Sequence, residues 1–384
     1  MPKTNTALPF SAMSVCYFGT YESRYPRNRV CIKSLESQGI TVHECHVPLW
    51  ELQEHKGAAF GFTLGFAIRY LFAQLRLIIK FITQPHADII MVGYIGQLDI
   101  FSAWLLSKLT GAKLVFNPLV SLYDTVVSDR GFMSGTSLKG RFLKRLDKVA
   151  CELSDLVILD TQAHISYFKE ELGIRDTTFE RIWVGADEDI FKPGKGSTDD
   201  REFKILFIGK FIPLHGLSKI IDAAKALEND PTIKFTFVGD GQLKPDILKQ
   251  SEELSLKNAT FIDHIEYQEL GKMIDAADLV LGIFGDSDKS YRVIPNKLFQ
   301  ALAVGKPVLS LDSPAARELL VDGKTAFLSE GEIQVMVDRI IQIKEDKPLR
   351  LQVGRNGLEL FRKELNQECL GKLLVESLQL VKND

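Results

Sequence analysis

The chain is poor in the features that would settle its class quickly, and each shortage excludes something. Its five cysteines (Cys16, Cys31, Cys45, Cys151 and Cys369) are dispersed, with no C-x-x-C pair. That pattern fits reduced thiols rather than a disulfide framework. His43, Cys45 and His46 lie together but lack further ligands at metal-binding spacing, so they read as polar residues at a strand end and no metal site is expected. Long apolar runs are scarce too. The most apolar segment, 60–83, overlaps an uncharged stretch of only 12 residues, 57–68, against the roughly 18 needed to span a bilayer. Residues 1–11 are polar and read as a loose extension with Met13 as an alternative start. No secretory signal is expected there, so the expected location is the cytoplasm. Strong net charge is absent as well, at −3, which argues against a nucleic-acid partner. No complete G-x-G-x-x-G follows a strand pattern, which disfavours a dinucleotide-dependent dehydrogenase.

What is present is the composition of an α/β enzyme, with 45% hydrophobic and 25% charged residues. At 384 residues, two domains are the natural expectation. Up to Arg181 there are 20 Lys+Arg against 17 Asp+Glu; subtracting from the totals of 47 and 50 leaves 27 against 33 beyond it. The first half is therefore mildly basic and the second acidic. Short β-branched runs alternate with helical patterns. Ser14–Gly19, Ile40–His46, Asp88–Gly93, Lys113–Asn117 and Asp155–Asp160 read as strands. Arg27–Gln38, Gln97–Thr110 and Leu138–Leu153 read as helices between them. The segment 191–201 (FKPGKGSTDDR) reads as a surface linker. The rhythm restarts with strands at Phe203–Gly209, Ile233–Gly239, Ala259–Ile262, Leu279–Phe284 and Pro307–Leu311. This predicts two Rossmann-like domains, residues 12–187 and 188–364, with a cleft between the carboxyl ends of their strands.

Several stretches bear on that cleft. In SDKSYRVIPNKLFQALAVGKPVLS (Ser287–Ser310), Pro295 suits the first turn of a helix and Gly305 its end. The free N–H groups near Asn296 and Lys297 then form an anion site, and Lys289 and Arg292 add positive charge. Gln300 shares a helix face with Asn296 and can reach a hydroxyl beyond a phosphate. A capped core helix with solvated basic residues explains the stretch equally well. In FIGKFIPLHG, Gly209 ends a strand, Lys210 is placed to pair with a phosphate, and His215-Gly216 opens a helix where glycine permits close backbone approach to a ligand. FVGDGQ places Gly239 in a tight strand-to-helix turn. RIWVGADEDIFKP (Arg181–Pro193) reads as an inter-domain crossover, with Gly185 turning the chain and Asp187 fixing the turn. In the first half, FGTYESRYPRNR puts Gly19 at a strand end and Arg27, Asn28 and Arg29 at a helix start, an anion-friendly loop. NPLVSLYDT brings Asp124 near the cleft.

Together these stretches resemble the family-4 retaining glycosyltransferases of GT-B architecture, in order along nearly the whole chain. That family shows a glycine loop after the first strand, as at Gly19. It has a G-x-D-x-x-x-F-x-P crossover, here GADEDIFKP. A G-R-x-x-x-x-K-G helix start follows, here GKFIPLHG, then a V-G-D/E-G turn, here VGDG. It ends in an E-x7-E helix followed by A-x-G-x-P-V, here ALAVGKPV. The family's diphosphate-binding Arg and Lys map to Lys210 and His215, and its two glutamates to Arg292 and Gln300.

The resemblance implies a donor held by the second domain, a UDP- or GDP-sugar serving as substrate with no cofactor. It implies an acceptor (a glycan or a lipid-linked species) held by the first domain around Gly19, Arg27, Asn28 and Arg29, and retention of configuration without a metal. Asp124, Lys210 and Arg292 are the candidate catalytic groups. Ile265 is expected to clamp the base, and Phe284-Gly285 to line the sugar pocket. A C-terminal helix over about 365–384 is expected to pack back on the first domain. The helix over 60–83 is apolar nearly all round, with Arg69, Arg76 and Lys80 on one stripe. It is either buried against a neighbour or lies in a membrane interface, the latter placing the protein on the cytoplasmic face of a membrane. A GT-B sugar-nucleotide epimerase, a sugar-binding protein and a glycosyltransferase relic that only binds are the competing readings.

Overall fold

The computed structural model describes residues 13–49, 64–194, 196 and 201–383. Residues 60–63 of the apolar segment, and 195 and 197–200 of the expected linker, lie outside them. Two six-stranded, wholly parallel sheets organise the chain. The first contains β1 (Ser14–Gly19), β2 (Thr41–His46), β3 (Ile89–Val92), β4 (Lys113–Phe116), β5 (Leu156–Leu159) and β6 (Thr178–Arg181), in the order β2-β1-β3-β4-β5-β6. Its connections carry α1 (Pro26–Ser37), α2 (Leu64–Thr83), α3 (Ile100–Thr110), α4 (Leu138–Glu152) and α5 (Gln162–Glu171).

The second sheet contains β7 (Phe203–Ile208), β8 (Ile233–Val238), β9 (Ala259–Ile262), β10 (Leu279–Leu281), β11 (Val308–Leu311) and β12 (Phe327–Ser329), in the order β12-β11-β10-β7-β8-β9. Around it lie α6 (Leu217–Ala226), α7 (Lys244–Glu253), α8 (Leu270–Ala276), α9 (Asn296–Val304), α10 (Pro314–Arg317), α11 (Ile333–Glu345) and α12 (Lys347–Leu360). The last helix, α13 (Gln367–Asn383), returns to the first sheet and packs on α1, where Gln38 Nε2 donates to the Glu368 carbonyl at 3.2 Å.

The central strands are apolar throughout because both their faces are covered: IIMV in β3, LVIL in β5 and LVL in β10 are completely buried. The edge strands β2 and β6 carry charged, half-exposed residues instead. Half of the expected strands end one residue early, so Asn117, Asp160, Gly209 and Gly239 sit just past them, on the loops. β10 stops at Leu281, three residues short of its expected end. Beyond the strand ends, strand order reverses beside β1 and beside β7. Those two switch points are where an open parallel sheet forms its crevice. All five cysteines are free thiols.

Candidate functional site

At the second switch point, the loop after β7 packs directly on the loops after β8 and β10. Gly216 adopts φ +63°, and a Cβ there would lie 2.4 Å from the Phe284 carbonyl carbon. The Phe284 N–H donates to the His215 carbonyl and the Gly285 N–H to the Leu214 carbonyl, both at 3.2 Å. A Cβ on Gly239 would lie 2.0 Å from the Gly209 carbonyl oxygen. This revises two expectations. Gly216 admits a neighbouring loop, and the Phe284 ring is buried in the core under the sheet, which leaves only the backbone there to line a sugar pocket.

Helix α9 begins one residue later than expected. Pro295, with ψ 146°, is the extended N-cap rather than the first helical residue, and Gly305 closes the helix at φ +82°. Lys297, in the first turn, is 4% exposed and its Nζ has no hydrogen-bond partner among the described residues. The ammonium lies 3.5 Å from the centre of the Phe207 ring and beside Gly209, whose added Cβ would be 3.4 Å from Nζ. Burial alone pushes its pKa well below the lysine range.

His215 stands alongside. Its Nδ1 is 2.5 Å from the Lys210 carbonyl, which fixes the proton on Nδ1. Burial first, then the Lys297 charge, hold this imidazole well below the usual histidine range, so it is neutral at pH 7. The Lys210 side chain is exposed. Gln300 is buried near the Tyr267 phenol, and Asn296 faces the Tyr25 phenol of the first domain. Ile265 is half-buried against the core.

The other candidate cations face a carboxylate. Asp124, fully buried in a π-helical turn over 124–129, is 2.8 Å from Arg292 Nη2 and 3.9 Å from Lys289 Nζ. Lys289 donates to Thr125 Oγ1 at 2.7 Å, and the Arg292 guanidinium stacks 4.1 Å from the centre of the Tyr167 ring. Thr161 Oγ1 donates to the Arg292 carbonyl at 2.5 Å. Burial lowers the Lys289 pKa while Asp124 and Asp129 oppose that shift. The structure thus brings Asp124 and Arg292 together, as expected of two cleft residues, but pairs them with each other across the cleft. A second inter-domain contact had no sequence signature: the Glu318 carboxylate accepts from the Gln162 and Ala163 N–H groups at 2.7 and 2.8 Å, capping α5.

The expected acceptor residues are largely committed within the fold. Arg27 is buried, with Nε donating to Asn117 Oδ1 at 2.7 Å and Nη1 to the Ile182 and Trp183 carbonyls. Asn28 is tied to Tyr17, Tyr94 and Glu22. Arg29 and Lys33 both hold Asp187 at 2.6 Å, which anchors the crossover to α1. A Cβ on Gly19 would lie 2.7 Å from Asp99 Oδ2, the oxygen that accepts from the Thr20 N–H at 2.6 Å. Arg27, Asn28 and Arg29 therefore build the wall of the first domain and are corrected as free acceptor ligands. Among the described residues no three His, Cys, Asp or Glu side chains gather as metal ligands.

Residues 188–360 match the family model for glycosyl transferases group 1. An uncharacterized glycosyltransferase of Methanocaldococcus jannaschii is 25% identical over 242 residues, covering 61% of this chain and 61% of the relative. The chitobiosyldiphosphodolichol beta-mannosyltransferase of Candida albicans is 23% identical, covering 57% of this chain and 52% of its own. The match thus spans little more than half the length of these relatives. Among solved structures, sucrose-phosphate synthase from Thermosynechococcus elongatus superposes with a TM-score of 0.76 at 14% identity, covering 96% of this chain and 99% of that one. Anabaena HepE in complex with UDP and glucose gives 0.68 at 16% identity, covering 96% and 100%. These likenesses establish the GT-B fold.

Proposed function

We propose that this chain, whose residues 188–360 match the model for glycosyl transferases group 1, is a retaining glycosyltransferase of that family. It moves a hexosyl group from a nucleoside-diphosphate sugar to a glycan or lipid-linked acceptor, at the cytoplasmic face of a membrane. The domain over 188–364 holds the donor and the domain over 12–187 the acceptor. One observation carries the reading: the Lys297 ammonium, buried at the N-terminus of α9 with no counter-charge among the described residues. An unpaired buried cation is costly, and a diphosphate seated on the same helix N-terminus removes the cost. The HepE structures, which contain UDP or UDP-glucose, are consistent with such a donor.

In the reaction, the bond between the sugar C1 and the β-phosphate oxygen breaks. The acceptor hydroxyl forms the new C1–O bond on the face the diphosphate leaves, and its proton departs on that diphosphate. Lys297, the α9 N–H groups and Lys210 stabilise the charge growing on the leaving group. Gln300 reaches the ribose hydroxyls. Arg292 and Lys289, joined through Asp124, hold the two walls at the spacing the transfer needs, and no metal takes part. A thermal-shift panel of UDP, GDP, ADP and CDP with their sugars tests this, because the true donor raises the melting temperature by mass action. Failure of every nucleotide to do so removes the donor site. Binding without sugar release to any acceptor, in assays with and without EDTA, removes the transferase reading and leaves a binding protein.

A further inference from the structure

The side of the first sheet facing away from α1 and α13 is layered by α2, α3 and α4. The core beneath that layer is ordinary: Ala73 and Leu77 of α2, Ala103 and Leu106 of α3, and Ala150 of α4 pack in one cluster on the strands. Its outer surface is not ordinary. On α2, Leu64, Ile68, Leu71, Leu75, Ile79 and Ile82 follow helical spacing on one face, opposite the buried Phe66, Ala73 and Leu77, and all six are exposed, Ile82 by 69%. Phe101, Leu105 and Leu109 continue the apolar surface on α3, and Leu138 and Phe142 on α4. Monomeric proteins rarely leave so contiguous an apolar face in water.

The exposed charges beside the apolar stripe on these three helices are cationic among the described residues. Arg69 and Arg76 flank the α2 stripe, Lys108 lies on α3, and Lys139, Arg141 and Arg145 are exposed on α4. Neither α2 nor α3 contains a carboxylate. In α4 Asp147 is buried, and Glu152 lies at the far end of the helix. An apolar stripe edged by cations complements an anionic lipid interface. No described helix is long and apolar enough to cross the bilayer, so the fit is to the surface. These helices start at the carboxyl ends of their strands, so Leu64, Phe101 and Leu138 bring the apolar face up to the rim of the cleft.

We propose that the outer face of α2, α3 and α4 docks on an anionic membrane surface, presenting the cleft rim to the lipid. This proposal does not rest on the donor site. The test is co-sedimentation of the full chain with vesicles of equal parts phosphatidylglycerol and phosphatidylcholine, against pure phosphatidylcholine. The anionic vesicles should bind the chain and the neutral ones only weakly. The pair Leu71→Glu with Leu75→Glu should cut partitioning by about tenfold or more, and Arg69→Gln with Arg76→Gln by a few-fold, most visibly at low salt. Both pairs should keep the wild-type melting temperature and nucleotide response, which shows that folding and the donor site survive. The proposal is overturned if the wild-type chain ignores anionic vesicles at low salt, or if L71E/L75E binds them unchanged. It is equally overturned if sedimentation velocity shows a dimer that L71E/L75E dissolves, since the face then belongs to a second copy of the chain.

Discussion

Arg292 and Lys297 lie five residues apart, both turned into the interior beside the cleft, yet their surroundings are opposite. Arg292 meets Asp124 at 2.8 Å and stacks on Tyr167. Among the described residues Lys297 meets the Phe207 face and a neutral His215 but no carboxylate. A buried pair balances its own desolvation and joins the elements that supply its two halves. A buried cation without a partner holds nothing together, and its cost persists until an anion arrives. Cationic character therefore marks both residues, but only the lack of a counter-ion marks a ligand site. On the proposed reading, Lys297 is the phosphate ligand and Arg292 the cross-cleft brace.

The sharpest way to break this contrast is Asp124→Asn. It strands Arg292 and Lys289, and should cost about 3–5 kcal/mol of stability in thermal or urea unfolding; a change below about 1 kcal/mol would mean that the pair braces nothing. Next comes Lys297→Met, which should weaken UDP or GDP binding by about tenfold to a hundredfold, one to two steps of 1.4 kcal/mol, while leaving the apo protein as stable or more so. Calorimetric titration beside a melting curve separates the two effects, and lost stability with intact binding would reverse the assignment.

The third test uses protons. Because folding lowers the Lys297 pKa, the unfolded chain binds the extra proton between that lowered value and the ordinary lysine value, so this group's contribution to apo stability rises with pH across the window. A diphosphate raises the pKa again, so nucleotide binding within that window should take up a proton. Binding enthalpies measured in Tris and in phosphate should then differ for wild type and agree for Lys297→Met. Smallest is Glu318→Gln, which weakens the α5 cap by about 0.5–1 kcal/mol and should leave nucleotide affinity unchanged.

Much of the fold was legible because the central strands carry short unbroken apolar runs that alternate with amphipathic helical stretches, the pattern of a parallel sheet covered on both faces. β6 and β12 escaped notice. The first is four half-exposed residues, TFER, and the second only three, so neither has a period to read. At the site, sequence located the right loops but could not assign partners. Arg27 looks like an anion ligand until Asn117 and the Ile182 and Trp183 carbonyls, some ninety and more than a hundred and fifty residues away, are seen to occupy it. Gly216 and Gly285 carry the glycine signature of close approach, yet what approaches is a neighbouring loop. Glu318 has no local signal at all, because its role exists only once α5 stands opposite it.

The crossover at Gly185 has a mechanical consequence. A Cβ there would lie 2.9 Å from the Leu365 carbonyl and 2.5 Å from Leu370 Cδ1, and the Gln367 N–H donates to Glu188 at 2.7 Å. The outgoing and returning chains thus pass between the halves side by side, and Arg29 and Lys33 fix that spot to α1 through Asp187. Two connections so close together act as one joint. Any rotation of the halves would turn about that joint, and the Asp124–Arg292 bridge would have to break for them to part there.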